Sequence, residues 1–219
     1  QPPGGGVSGP IPFTVTLPPA QISLAPSARA ISWGQPVTLA VQVASPGANL
    51  PLTLQRMQAN ESQWLDIGTV TTDASGQATF SYTPPVNTQF QVVYPGGTVL
   101  GPGTSAPVRV VVRQIVALRP TGLGRVRSVP AGTAVKFAAT VRPIGPTLAP
   151  AKVTFQFWRQ LNGHWQFVTK RDVYIDASGR AGWTWAFTSR GQWYVRAVAD
   201  PTLTSANSYW SPPERYSVF

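Results

Sequence analysis

The chain has 219 residues, enough for one large domain or two ordinary ones, each with a core of its own. Only 11% of its residues are charged, yet Lys and Arg outnumber Asp and Glu by 17 to 7, for a net charge of +10. The absence of Cys excludes disulfides, thiolate metal sites and a Cys nucleophile, and the short apolar stretches exclude a membrane-spanning helix, which needs roughly 20 apolar residues.

In chain order, residues 1–10 are rich in Pro and Gly and read as a tether, with no basic-plus-apolar signal segment. Ile11, Phe13, Val15 and Leu17 then alternate with polar or small residues, as in a strand with one apolar face. Val37, Leu39, Val41 and Val43 repeat that period of two, as do Ala78, Phe80 and Tyr82, then Phe90, Val92 and Tyr94, then Val108, Val110 and Val112. The second half continues with Val135 to Val141, Val153 to Phe157, Trp183 to Phe187 and Trp193 to Ala197. Helical periodicity is nearly absent, and each run is closed by Pro, Gly, Asn or Ser. Strands with one apolar and one polar face belong to antiparallel sheets that pack on one side.

The chain also repeats itself. Asp73-Ala-Ser-Gly76 returns as Asp176-Ala-Ser-Gly179, 103 residues later, and at that spacing Phe80 meets Trp183, Tyr82 meets Trp185 and Phe90 meets Trp193. Large apolar residues stay large and apolar while the surface drifts. The reading is all-β: an N-terminal arm with an extended strand over 1–20, then two tandem immunoglobulin-like antiparallel β-sandwiches over 21–113 and 114–219. Residues 12–17 followed by 21–24 match residues 107–112 followed by 114–117, where the first segment ends one sandwich and the second begins the next. Ile11, Phe13, Val15 and Leu17 therefore read as a last strand left over, since the second domain keeps its own near residues 214–219.

The order Gly34-x-x-Val-Thr-Leu39, Leu52-Thr-Leu-Gln-Arg56, a Trp, Thr72-Asp-Ala-Ser-Gly-x-Ala-x-Phe80 and a closing Ser105-x-x-Val-x-Val-x-Val112 resembles the cysteine-free immunoglobulin-like repeats of secreted and surface-anchored bacterial proteins. That resemblance implies the sandwich fold and a location outside the cell, on the surface or secreted. It leaves open whether such modules serve as spacers, adhesins, filament subunits or enzyme appendages. In the second copy Phe157 is read as standing where Arg56 does.

Catalytic chemistry needs convergent acids, bases or nucleophiles, and none is expected here. His164 follows an Asn162-Gly163 hairpin signal, and Asp73 and Asp176 open equivalent turns in different domains. No metal-ligand spacing and no cofactor motif occurs. Asn60-Glu-Ser62 fits a glycosylation acceptor.

Charge is lopsided. Up to Val112, three Arg balance three acids, whereas from Arg113 onward 14 basic residues face four acids. Arg113, Arg119, Arg125 and Arg127 crowd the junction and the start of the second domain, a field that attracts polyanions such as acidic polysaccharide or cell-wall polymer. No nucleic-acid-binding motif accompanies it. Trp158 falls in the outward phase beside Arg159, and Trp210 is surplus to the repeat, so these join the candidate binding residues.

Three functions are consistent with these features. The arm adds as a strand to a neighbouring copy and builds a head-to-tail filament or sheath; the basic second domain grips acidic glycan; or both sandwiches are spacers of a longer surface protein. The unpartnered strand favours the first.

Overall fold

The computed structural model describes residues 16–44, 47–123, 127–144 and 151–219. Ile11, Phe13 and Val15 of the arm and Arg125 lie outside them, and only Leu17 of the expected strand is described.

The first sandwich is built from β1 (Ile22–Pro26), β2 (Ala30–Ser32), β3 (Val37–Val43), β4 (Pro51–Gln58), β5 (Leu65–Thr71), β6 (Gln77–Tyr82), β7 (Thr88–Tyr94), β8 (Gly103–Thr104) and β9 (Val108–Arg113). One sheet runs β1-β3-β6; the facing sheet runs β2-β9-β7-β4-β5, with β8 added beside β7. The opening segment thus changes sheets: β1 pairs antiparallel with β3, and β2 pairs parallel with β9. The second sandwich repeats the plan with β10 (Ile115–Thr121), β11 (Ser128–Val129), β12 (Ala134–Arg142), β13 (Lys152–Leu161), β14 (His164–Tyr174), β15 (Arg180–Ala186), β16 (Gly191–Ala199) and β17 (Glu214–Val218). Its sheets are β10-β12-β15 and β11-β17-β16-β13-β14, with β11 again parallel to the last strand. This shared order defines two immunoglobulin-like sandwiches.

Period-two patterning builds the cores. Along β3 every odd residue from Val37 to Val43 is buried and every even one exposed. Leu39 lies opposite Phe80, as Phe137 lies opposite Trp183; Val37 lies opposite Tyr82, as Val135 lies opposite Trp185. The repeat therefore holds strand by strand. In the second core the larger rings pack edge to face, Phe137 meeting Phe157, Phe187 and Tyr216 at centroid distances of 5.8, 6.4 and 5.8 Å. Tyr216 is buried with its hydroxyl unpartnered among the described residues, and burial pushes that phenol up to about 12.

The register corrects one equivalence. Arg56 pairs with Phe90, and Arg159 pairs with Trp193, so Arg159 rather than Phe157 stands where Arg56 does. Phe157 is the counterpart of Leu54, both lying immediately before a bulge in the pairing with the next strand.

The two Asp turns are equivalent atom by atom. Asp73 Oδ1 accepts from Ser75 N (2.8 Å), Ser75 Oγ (2.7 Å) and Gln77 N (2.9 Å); Asp176 Oδ1 accepts from Ser178 N (2.8 Å), Ser178 Oγ (2.6 Å) and Arg180 N (2.9 Å). Gly76 and Gly179 take φ of 78° and 75°, which an L side chain rarely adopts. Asn162 and Gly163, with φ of 51° and 79°, form the left-handed hairpin that joins β13 to β14.

Candidate functional site

The root of the arm is pinned to its own domain. Gly101 N donates to Pro18 O (2.8 Å), and Ala20 N donates to Gly101 O (3.2 Å), with Pro19 and Gly101 bridged in parallel. Leu17 is half-buried and Ala20 is part of the first core. Gly103 closes against this root so tightly that a Cβ there would collide with the Ala20 carbonyl.

The junction between the domains repeats the arrangement. Ala206 N donates to Val112 O (2.9 Å), and Gln114 N donates to Ala206 O (3.1 Å), with Arg113 and Ala206 bridged in parallel. Pro18, Pro19 and Ala20 thus correspond to Val112, Arg113 and Gln114, and Gly101 to Ala206, so Leu17 stands where Val111 does, one residue out of step with the sequence match that set it against Val112. In each domain the connection before the last strand clasps the chain entering that domain. At the junction this chain is the end of β9, the last strand of the preceding sandwich.

Additional bonds tie the two domains together there. Asn87 N donates to Thr204 O (2.7 Å), and Asn87 Oδ1 accepts from Val112 N (2.8 Å). Arg113 lies over the Tyr209 ring (5.1 Å) and reaches Asn207 Oδ1 (3.4 Å). Thr204, Ser205 and Gln114 are buried. The loop itself is stitched to β16 by two serines: Ser208 Oγ accepts from Ala199 N (2.8 Å) and Ser211 Oγ from Ala197 N (3.0 Å).

A second constellation covers the outer face of the five-stranded sheet. Trp158 stacks on Tyr194 (5.7 Å, 12°), and Trp165 meets Tyr194 at 4.7 Å. Arg196 sits between Trp158 (5.1 Å) and Trp210 (4.2 Å), its Nε and Nη2 donating to Gln156 Oε1 at 3.1 and 2.9 Å. Trp158 Nε1 donates to the same oxygen (3.1 Å). Phe167 stands edge-on to Trp158 at 5.5 Å, and Arg215 lies over Trp165 at 5.8 Å.

The same positions in the first sandwich carry different chemistry. Gln55 pairs with Gln91 and Asp66, as Trp158 pairs with Tyr194 and Phe167. There Gln91 Nε2 donates to Gln55 Oε1 (2.7 Å) and Gln55 Nε2 to Asp66 Oδ1 (2.8 Å). The fold accepts a ladder of amides and a carboxylate where the second domain has the aromatic rings Tyr194, Trp158 and Phe167, and Val93 where it has Arg196.

The remaining sequence-derived candidates fall on separate elements. Arg113 is at the junction, and Arg119 is exposed on β10 of the three-stranded sheet. Arg127 ion-pairs with Glu214 (3.0 Å) beside β11 and lies over the Tyr216 ring. Arg159 donates to the Arg190 carbonyl at 3.2 and 2.7 Å. Trp158 and Trp210 belong to the stacked face. Tyr194 and Arg196 were accessible to the same alternation that placed Trp158 outward, since Trp193, Val195 and Ala197 take the inward phase. Phe167 was not, because the bulge at Phe157/Trp158 shifts the phase of its partner strand.

No family model matches the chain, and no curated protein matches it in sequence. Solved structures similar to it include the D0-D1 domain of intimin (14% identity, 90% of this chain and 97% of that one, TM-score 0.32). The ICAM-5 D1-D4 ectodomain fragment is similar at 18% identity over 91% of this chain and 53% of that one, with a TM-score of 0.43. E. coli α2-macroglobulin in its native conformation is similar at 14% identity over 94% of this chain, which spans 16% of that protein, with a TM-score of 0.36. Strand order and register, rather than these likenesses, define the fold. No helix among the described residues is long and apolar enough to cross a membrane.

Proposed function

We propose that the chain is a non-enzymatic structural protein of the cell exterior, an adhesion-type rod of immunoglobulin-like sandwiches that assembles head to tail by strand addition of its N-terminal arm. One observation carries this reading: the clasp at Pro18–Ala20 has the same bonds as the clasp that receives the end of β9 from the preceding sandwich. The arm leaves the first domain along the path by which a last strand enters, and its Ile11, Phe13, Val15 and Leu17 supply one apolar face, one residue out of phase with the buried Val110 and Val112 of β9, for the edge of another sheet to bury.

Both described sandwiches hold their own last strands, β9 and β17, so in a homopolymer the arm adds to an open edge. β14 is such an edge: 11 residues long, at the margin of its sheet, with Phe167, Val168 and Tyr174 exposed. A head-to-tail contact of this kind does not close on itself and propagates. The same clasp also supports a second reading, in which the arm completes an upstream sandwich and the two domains are spacers of a longer surface protein.

Deletion of residues 1–16 separates the two. Under the first reading the intact chain forms fibres visible by electron microscopy and the deleted one remains a two-domain particle. Fibres that persist without the arm, or an intact chain that stays monomeric at every concentration, refute self-assembly by strand addition.

A further inference from the structure

We propose that the outer face of the second sandwich's five-stranded sheet binds an acidic polysaccharide, along a track running from Phe167 across Trp158 and Arg196 to Trp210 and Tyr209. The track does not involve the arm itself, but its Phe167 end lies on β14, the edge proposed to receive the arm.

The first sandwich acts as an internal control. At the same register positions it spans the sheet with Gln91, Gln55 and Asp66, so sheet stability does not demand rings there. Exposing aromatic surface costs solubility unless something covers it. Here Phe167, Trp210 and Tyr209 are 49%, 40% and 69% exposed. The last two help to line a hollow of about 430 Å³, together with Val198, Pro201, Asp200 and Asn207.

Charge selects the ligand. From Arg113 onward, 14 basic residues face four acids. All four acids are engaged locally: Glu214 with Arg127, Asp172 and Asp200 with Lys152, and Asp176 within its turn. Arg196 lies within the track, while Arg215 and Lys170 are exposed on the same sheet face. Ring geometry narrows the choice further. Trp158 and Tyr194 spend their faces on each other, and Arg196 covers the near faces of Trp158 and Trp210, so flat bases have no central platform. The accessible rings stand at the two ends of the track, where the weakly positive C–H surface of a sugar can rest on a ring face while its acid groups meet guanidinium. An extended chain of sugars spans both ends; a single sugar does not.

The test is binding of the full chain to heparin and to polygalacturonate by calorimetry at low and high salt, with poly-glutamate and single-stranded DNA for comparison. The variants are Phe167→Ala, Trp210→Ala, Trp210→Phe and, on the other sheet, Arg119→Gln, each checked for an unchanged melting temperature. The expected result is glycan binding that weakens with salt, falls at least tenfold in the two Ala variants, is kept by Trp210→Phe and changes less than twofold in Arg119→Gln. Equal binding of all four polymers with no loss in the Ala variants overturns the proposal in favour of diffuse charge. Tighter binding of poly-glutamate than of either glycan overturns it in favour of an acidic protein partner, and no binding to either glycan at low salt overturns it outright. Fibre formation measured on Trp210→Ala, which leaves β14 unchanged, keeps this outcome separate from that of the arm.

Discussion

Asp73 and Asp176 each bind one hydroxyl and two backbone amides, and these bonds act on acidity as well as on turn shape. The serine hydroxyl first, then the N–H of Gln77 or Arg180, holds each carboxyl below the usual carboxylate range. A depressed folded value stabilises the fold above the unfolded carboxyl's pKa of about 4, and the contribution is lost as pH falls through the folded value. The melting temperature is therefore expected to drop on acidification below about pH 4, with a flatter profile in the Asp73→Asn/Asp176→Asn double variant, which keeps the acceptor oxygens but binds no proton; identical profiles would contradict the role. These turns were legible in the sequence because Asp-Ala-Ser-Gly encodes its own local bonds. The partner of Arg159 was not, since the Arg190 carbonyl is 31 residues away and is brought near only by the pairing of β13 with β16.

At the scale of elements, alternation was enough to find the strands and their inward faces, because burial on one side imposes a period of two. It could not reveal how the first strand of each sandwich is shared between sheets, which depends on parallel pairing of three and two residues, or where bulges shift the phase. The clasps were equally hidden, being backbone bonds that leave little mark on side-chain choice. Gly103 is the exception, a residue dictated by its neighbour's carbonyl. Gly103→Ala is expected to lower the stability of the first sandwich by about 1–3 kcal/mol through overpacking against Ala20, read as a lower denaturation midpoint with the second sandwich unaffected. Gly122→Ala, where no atom lies within 4 Å of the added Cβ but φ is 85°, tests backbone strain alone. A Gly103→Ala midpoint equal to that of the parent would remove the tight root from the account.

The whole molecule is two like sandwiches joined by a loop that grips the strand end coming from its neighbour, with Asn87 bonded to both partners of that grip. The repeat made the two-domain plan legible, whereas the lopsided charge and the outward rings pointed to the second domain without showing how they are arranged. The central claim is that the arm finds its partner strand in another molecule, and amide hydrogen exchange across residues 13–17 as a function of protein concentration tests it most directly. The account predicts fast exchange at Thr14, Val15 and Thr16 in dilute protein and strong protection at concentrations where fibres form. Exchange at these amides that is independent of concentration, whether fast or slow throughout, would contradict it.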